Sequence, residues 1–133
     1  MLRDVGRLSD EDETVVATTI GCAIEVHRHL GPGFRERIYE RALCLELELR
    51  GISFECQREI DVCYKQWKIP GQRIDLIVAN IVIVEIKAIP RVKTIHRHQV
   101  VSYLRSTGLH VGLIVNFNTT LLKHGLHRVV RSN

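Results

Sequence analysis

The 133-residue sequence predicts a mixed α/β domain, with a sheet flanked by helices in the order α-α-β-β-β-α-β and a short final strand. Three observations carry that prediction. Apolar residues recur at helical spacing over about 10–30 and again over 34–50. Ile74-Asp75-Leu76-Ile77-Val78, a turn, and Ile81-Val82-Ile83-Val84-Glu85-Ile86-Lys87 form two β-branched runs, the pattern of a central hairpin buried on both faces. A third helical stretch, 94–106, then precedes the apolar run Val111–Asn116.

The elements follow in order. Ser9 with Asp10, Glu11 and Asp12 reads as an N-cap and an acidic first turn. Val16, Ile20, Ala23, Ile24, His27 and Leu30 form the expected core stripe of the first helix, which Gly31-Pro32-Gly33 stops. The second helix is expected to bury Phe34, Ile38, Ala42, Leu45 and Leu49 and to end at Gly51. Phe54–Tyr64 is extended, Lys65-Gln66 is a turn, and Pro70-Gly71 is a break or bulge before the strand with Asp75. Pro90 ends the next strand, Thr107-Gly108 closes the third helix, and Gly125–Val130 is a short last strand.

Size and composition bound the function. The length suits one domain over 1–133, with 1–9 as a flexible N-terminus. No apolar run reaches the roughly 18 residues of a membrane span, and no signal-like stretch opens the chain, so no membrane partner and a cytoplasmic location are expected. Cys22, Cys44, Cys56 and Cys63 show no metal-site spacing and read as small buried hydrophobes. Net charge is +4, with a sequence pI near 9.1, compatible with a polyanionic partner. Arg91, Lys93, His96, Arg97 and His98 cluster after Lys87; Arg35, Arg37 and Arg41 form a second group. A solvated basic surface explains either cluster equally well.

The sharpest feature is Asp75 followed by Glu85-Ile86-Lys87 inside the most apolar stretch. With Ala79-Asn80-Ile81 as a three-residue loop, Asp75 falls opposite Glu85, and Lys87 shares their face. Two like charges about 4 Å apart repel by roughly 4 kcal/mol at an effective dielectric near 20. A divalent cation removes that penalty. Two carboxylates and the Ile86 carbonyl suit Mg²⁺ (or Mn²⁺), which prefers hard oxygen ligands and keeps several waters. Such an ion would activate water against a phosphodiester, with Lys87 placing the water and offsetting phosphate charge. The spacing alone is equally met by a structural Asp-Lys-Glu salt-bridge cluster at a sheet end.

Gln99 and Tyr103 are i,i+4 neighbours on the following helix. They could touch a phosphate, its water or the hairpin, although spacing alone favours Gln99 in solvent and Tyr103 as half-buried core. Glu36, Tyr39 and Glu40 share a face of the second helix; Glu40 could add a carboxylate, whereas Glu36 reads as pairing with Arg35 or Arg37. The histidines form no chelate, no serine or cysteine has a catalytic context, and no Gly-rich phosphate loop follows a strand.

Gly33-Phe34-Arg35-Glu36-Arg37-Ile38-Tyr39-Glu40 resembles the G-x-x-E-x-x-Y signature of the GxxExxY proteins. The likeness continues through Arg73-Ile74-Asp75-Leu76, Glu85-Ile86-Lys87-Ala88, Gln99–Leu104 and Gly112–Phe117, covering about 14–131. That family is placed in the PD-(D/E)XK nuclease superfamily, so the resemblance implies a restriction-endonuclease-like α/β core. By the same resemblance Asp75, Glu85 and Lys87 are the metal-binding and catalytic triad and Gln99 the accessory helix residue. Glu40 looks like the first-helix acid of some relatives, and Ile74 stands where the superfamily's name has proline. The expected activity is Mg²⁺-dependent hydrolysis of nucleic acid, DNA in preference to RNA, with Arg91, Lys93, Arg97 and Tyr103 contacting the substrate. Sequence specificity is expected to be slight unless a homodimer or partner protein supplies it. The rival expectation is a catalytically silent nucleic-acid-binding or protein-interaction subunit on the same fold.

Overall fold

The structure, a computed structural model, describes residues 8–131. Most of the segment expected to be a flexible N-terminus therefore lies outside the described residues. Its last two residues are engaged: Leu8 joins the core, and Ser9 Oγ accepts the Asp12 amide at 3.1 Å. That cap starts α1 (Asp10–Leu30), with four acids in the first turn complementing the helix dipole. Then come α2 (Glu36–Leu49), β1 (Phe54–Tyr64), β2 (Trp67–Val78), β3 (Val82–Lys87), α3 (Thr94–Thr107), β4 (Val111–Asn116), a 3₁₀ turn (Leu122–Gly125) and β5 (Leu126–Val130).

The five strands form one mixed sheet in the order β1-β2-β3-β4-β5. Only β3 and β4 are parallel, and α3 is the crossover that parallel neighbours need. The β2–β3 hairpin has the expected register, with Val78 opposite Val82 and Leu76 opposite Val84. Ala79 and Asn80 both take positive φ, and the Ile81 amide donates to the Val78 carbonyl at 2.9 Å. A primed turn of this kind matches the right-handed twist of the strands. The bulge expected near Pro70-Gly71 is present: Ile60 pairs with Gln72 but Val62 with Ile69, placing the extra residue on β2.

The sheet buries both faces. Leu76, Val78, Val82, Val84 and Ile86 pack with α1 and α2, while Ile74, Ile77, Ile83 and Ile114 pack with α3. Gly112 lets α3 settle onto β4, since a Cβ there would stand 2.5 Å from Val100 Cγ1.

Two helix faces differ from the expected stripes. On α1 the buried residues are Val16, Thr19, Cys22, Ala23, Val26 and His27, whereas Ile24 is exposed. Thr19 can sit inside because its hydroxyl donates to the Val15 carbonyl at 2.7 Å, leaving its methyl to pack. On α2 the core side is Tyr39, Leu43, Cys44 and Leu47, while Ile38, Leu45 and Leu49 are exposed; Phe34, expected in the helix, precedes it and is exposed too. The helix is apolar around most of its circumference, so two stripes satisfy the period. Tyr39 decides between them. Its ring stacks on Phe117 at 4.3 Å and an interplanar angle of 3°, while its hydroxyl accepts from Phe34 N and donates to the Gly31 carbonyl. The cysteines also divide: Cys22 and Cys44 are buried as expected, but Cys56 and Cys63 are exposed on β1, which has no layer over its outer half.

Tyr39→Phe keeps the ring stack but leaves a part-buried amide and carbonyl without their partner in the turn before α2. We expect it to destabilise the fold by about 1–2 kcal/mol, and Tyr39→Ala by about 3–5 kcal/mol, in urea denaturation. An unchanged midpoint for Tyr39→Phe would show the hydroxyl to be idle.

Candidate active site

The site forms where the β2–β3 ladder stops. Its last pair is Leu76–Val84; one step further, Ile86 would exchange backbone bonds with Ile74. Instead the Ile86 amide donates to Asp75 Oδ2 at 2.9 Å, so a side chain replaces the strand backbone. β2 departs from regular alternation here. Ile74 and Ile77 share the α3-side core, although strict period-2 would separate them. Across on β1, Gln57 takes φ +53° and is not paired with Asp75. Amide and carbonyl of one strand residue point the same way, so the Ile86 carbonyl also faces this seam.

Glu85 lies beside Asp75 and is only 5% exposed, with Oε2 buried and without a hydrogen-bond partner. Burial, then the neighbouring Asp75 carboxylate, pushes its pKa well above the usual carboxylate range, while Lys87 and Tyr103 pull the other way. Lys87, half-buried at the end of β3, makes no ion pair with a described residue, nor do Asp75 and Glu85. A salt-bridge cluster is therefore not what brings the three together.

Surrounding groups hold this arrangement. Tyr103 is 3% exposed and stands against Glu85, its own pKa raised by burial and by the two carboxylates. So buried, it offers no surface to nucleic acid, contrary to the contact expected of it. Gln99, one turn earlier on α3, is exposed, adjoins the Tyr103 hydroxyl, and lines a shallow depression with Ile95, His96 and His98. On the other side Gln57 Nε2 donates to Glu40 Oε1 and lies 3.5 Å from Asp75 Oδ1. Burial, then Asp75, raises the Glu40 pKa against the lowering effect of Gln57.

Arg91 and Lys93 are exposed on the loop from β3 to α3. Arg97 is also exposed, but its Nη2 meets His127 Nδ1 on β5 at 3.1 Å, two strands from Glu85. Glu36 does not pair with Arg35 or Arg37. Its Oε1 accepts the Ala88 amide at 3.2 Å and ties α2 to the residue after Lys87.

Two participants escaped the sequence reading. Gln57 gave no signal because its positive φ belongs to a strand distortion invisible in residue type. Asn116 stands at the end of the apolar run and accepts the Asn118 amide at 3.2 Å. It is also 3% exposed and clamps the loop beyond Lys87, accepting from Ile89 N at 3.1 Å and donating to Ile89 O at 2.9 Å. A polar residue closing a fully apolar strand was the available clue.

Helices on both faces of a mixed sheet, with acids and a lysine where central strands part, define an α/β restriction-endonuclease-like fold. The family model described as PD-(D/E)XK nuclease superfamily matches residues 13–129, and the chain belongs to that superfamily. No curated protein and no solved structure matches the chain.

Superfamily nucleases generally use divalent metals. Among the described residues no three His, Cys, Asp or Glu side chains converge as a metal cage. The donors fit a more open site. Glu85 Oε2 is orphaned, Asp75 Oδ1 has only a distant Gln57, and the Ile86 carbonyl faces the same seam. An oxygen set of this kind suits a hard cation that keeps several waters.

With its folded pKa raised, Glu85 holds a proton in the native state that the unfolded chain has already released. The stability so gained is complete below the ordinary glutamate range and drains as pH rises through the elevated value. In EDTA the wild type should therefore lose stability relative to Glu85→Gln from about pH 5 upward, by at most about 1.4 kcal/mol per pH unit. Parallel curves in denaturant titrations would refute this.

Proposed function

We propose that the chain is a Mg²⁺-dependent nuclease (Mn²⁺ substituting) that hydrolyses phosphodiester bonds, of DNA in preference to RNA. The observation that carries the reading is the buried Glu85 carboxyl beside Asp75, its Oε2 unpartnered, with Lys87 near them and in no ion pair with a described residue. Asp75, Glu85 and the Ile86 carbonyl would hold the ion, with Glu40 acting through Gln57 to orient Asp75. When bound, the ion polarises the phosphoryl group and makes its water more acidic.

The chain's own residues do the rest. Lys87 positions the attacking water and offsets negative charge growing on the phosphate. Gln99, exposed beside Tyr103, reaches the phosphate or that water. Tyr103 excludes solvent behind Glu85 and fixes its carboxylate. Arg91 and Lys93 engage flanking phosphates, with Arg97 further out over β5, which makes binding salt-dependent. Glu36 and Tyr39, which belong to the GxxExxY signature, serve as positioning residues: one anchors the backbone after Lys87, the other the turn before α2. The protein acts inside the cell, and a homodimer or a partner supplies any sequence specificity.

Supercoiled plasmid and single-stranded DNA incubated with Mg²⁺ or Mn²⁺ should be cleaved by wild type and at least about 100-fold more slowly by Lys87→Ala. Equal cleavage by both proteins would place the activity elsewhere. Calorimetry should show Mn²⁺ binding that Asp75→Ala abolishes, with wild-type affinity rising with pH as the cation displaces the Glu85 proton. Cation binding without cleavage of any nucleic acid would favour the silent binding subunit.

A further inference from the structure

The β1–β2 ribbon runs well beyond the sheet. β3 pairs with β2 only over Leu76–Val78, and every residue from Asp61 to Gly71 is exposed. β3 runs antiparallel to β2, so the end of β3 bearing Glu85 and Lys87 points the same way as the ribbon tip. The ribbon thus rises past the edge of the sheet that carries the site. From Asp75 to Trp67 it spans roughly 26 Å at ~3.3 Å per residue.

Its chemistry is two-sided. Val62 faces Ile69 and Tyr64 faces Trp67, so these four side chains share one face. At the base, Ile60 packs into the α3-side cluster, and Gln72 Nε2 donates to Ser102 Oγ of α3 at 2.9 Å. β1 carries no extra residue between Ile60 and Val62, so this apolar face continues on the α3 side, where Glu85 meets Tyr103. Tyr64 and Trp67 are each 56% exposed, far more than packing within the fold explains. Lys65 lies 5.4 Å over the Tyr64 ring, and neither Lys65 nor Lys68 pairs with an acid among the described residues. No acidic residue occurs between Val62 and Ile74.

We propose that this ribbon is a nucleic-acid-binding arm, whose aromatic pair stacks on bases while Lys65 and Lys68 contact phosphates. A two-stranded ribbon has the width of a major groove, and aromatics beside lysines suit unpaired bases. Unopposed positive charge on the tip is what selects a polyanion over a second copy of this equally basic chain. The proposal rests on the reading that the adjoining site takes nucleic acid, and it gives the substrate a second contact far from the chemistry.

Trp67 is the chain's single tryptophan, so its emission reports on the arm directly. The full chain in EDTA, where no cleavage occurs, is titrated with dye-labelled single-stranded and duplex DNA oligonucleotides while anisotropy and Trp67 emission are read together. Both signals should change with one midpoint, and higher salt should move it upward. Tyr64→Ala/Trp67→Ala should weaken anisotropy-detected binding tenfold or more. Lys65→Ala/Lys68→Ala, which keeps the reporter, should weaken it and flatten the salt dependence. Oligonucleotide binding with unchanged Trp67 emission and undiminished affinity in both variants would overturn the arm but not the nuclease reading. Absence of binding in both signals would overturn the arm, and cleavage of plasmid with Mg²⁺ or Mn²⁺ would then decide the nuclease reading separately. Emission that follows protein concentration without DNA, with a dimer in sedimentation, would make the ribbon a self-association surface and overturn the arm.

Discussion

One hydrogen bond governs the candidate site: the Ile86 amide to Asp75 Oδ2. In a continued ladder that amide would satisfy the backbone of β2, the strands would stay closed, and Glu85 would be a buried glutamate with no role. With the carboxylate taking the amide, the ladder ends, β2 swings aside and the Ile86 carbonyl is left facing an opening. Asp75 thus does structural work with one oxygen and keeps the other available. Because its position depends on a bond to β3, the two acids move together, and their spacing does not rely on a loop.

The strand end beyond Lys87 is held by two side chains from separate elements and by one backbone amide. Glu36 of α2 takes the Ala88 amide, Asn116 of β4 takes both polar groups of Ile89, and the Phe117 amide donates to the Lys87 carbonyl at 2.9 Å. Tyr39 secures the same corner from beneath by stacking on Phe117. On the opposite face Gly112 permits the close packing of α3 that keeps Tyr103 against Glu85. Backbone bonds from side chains on separate elements over-determine the loop, and such a frame is what a reacting group needs to stay within a fraction of an ångström.

Much of this was legible in the residues. The element order follows from periodicity, and the register of Leu76–Val78 on Val82–Val84 from the length of one turn. That register brings Asp75 and Glu85 to the same end of the hairpin, but the ladder stops before them, and the bond from the Ile86 amide to Asp75, which sets their spacing, leaves no mark in the local sequence. The helix faces were harder, for a physical reason. Where Ile38, Tyr39, Leu43, Leu45 and Leu47 cover most of α2, hydrophobicity ceases to discriminate, and the burial side is set by a ring stack and two turn bonds made by Tyr39. The same holds for Glu36 and Gln57. Their partners are a backbone amide across the fold and a kinked strand, neither of which leaves a mark in the local sequence.

The charge arrangement argues for more than architecture. A carboxylate buried only for packing costs free energy that an apolar residue of similar size would not, and stable folds offset such a cost with a close, well-formed counter-charge. Glu85 has the burial without the compensation: an orphaned oxygen, an adjacent acid, and a lysine that stays out of ion-pair contact. A leucine there would serve the sheet better. Under the proposed function a divalent ion between the acids would remove each cost and leave Lys87 free for a phosphate rather than committed to neutralising its neighbours.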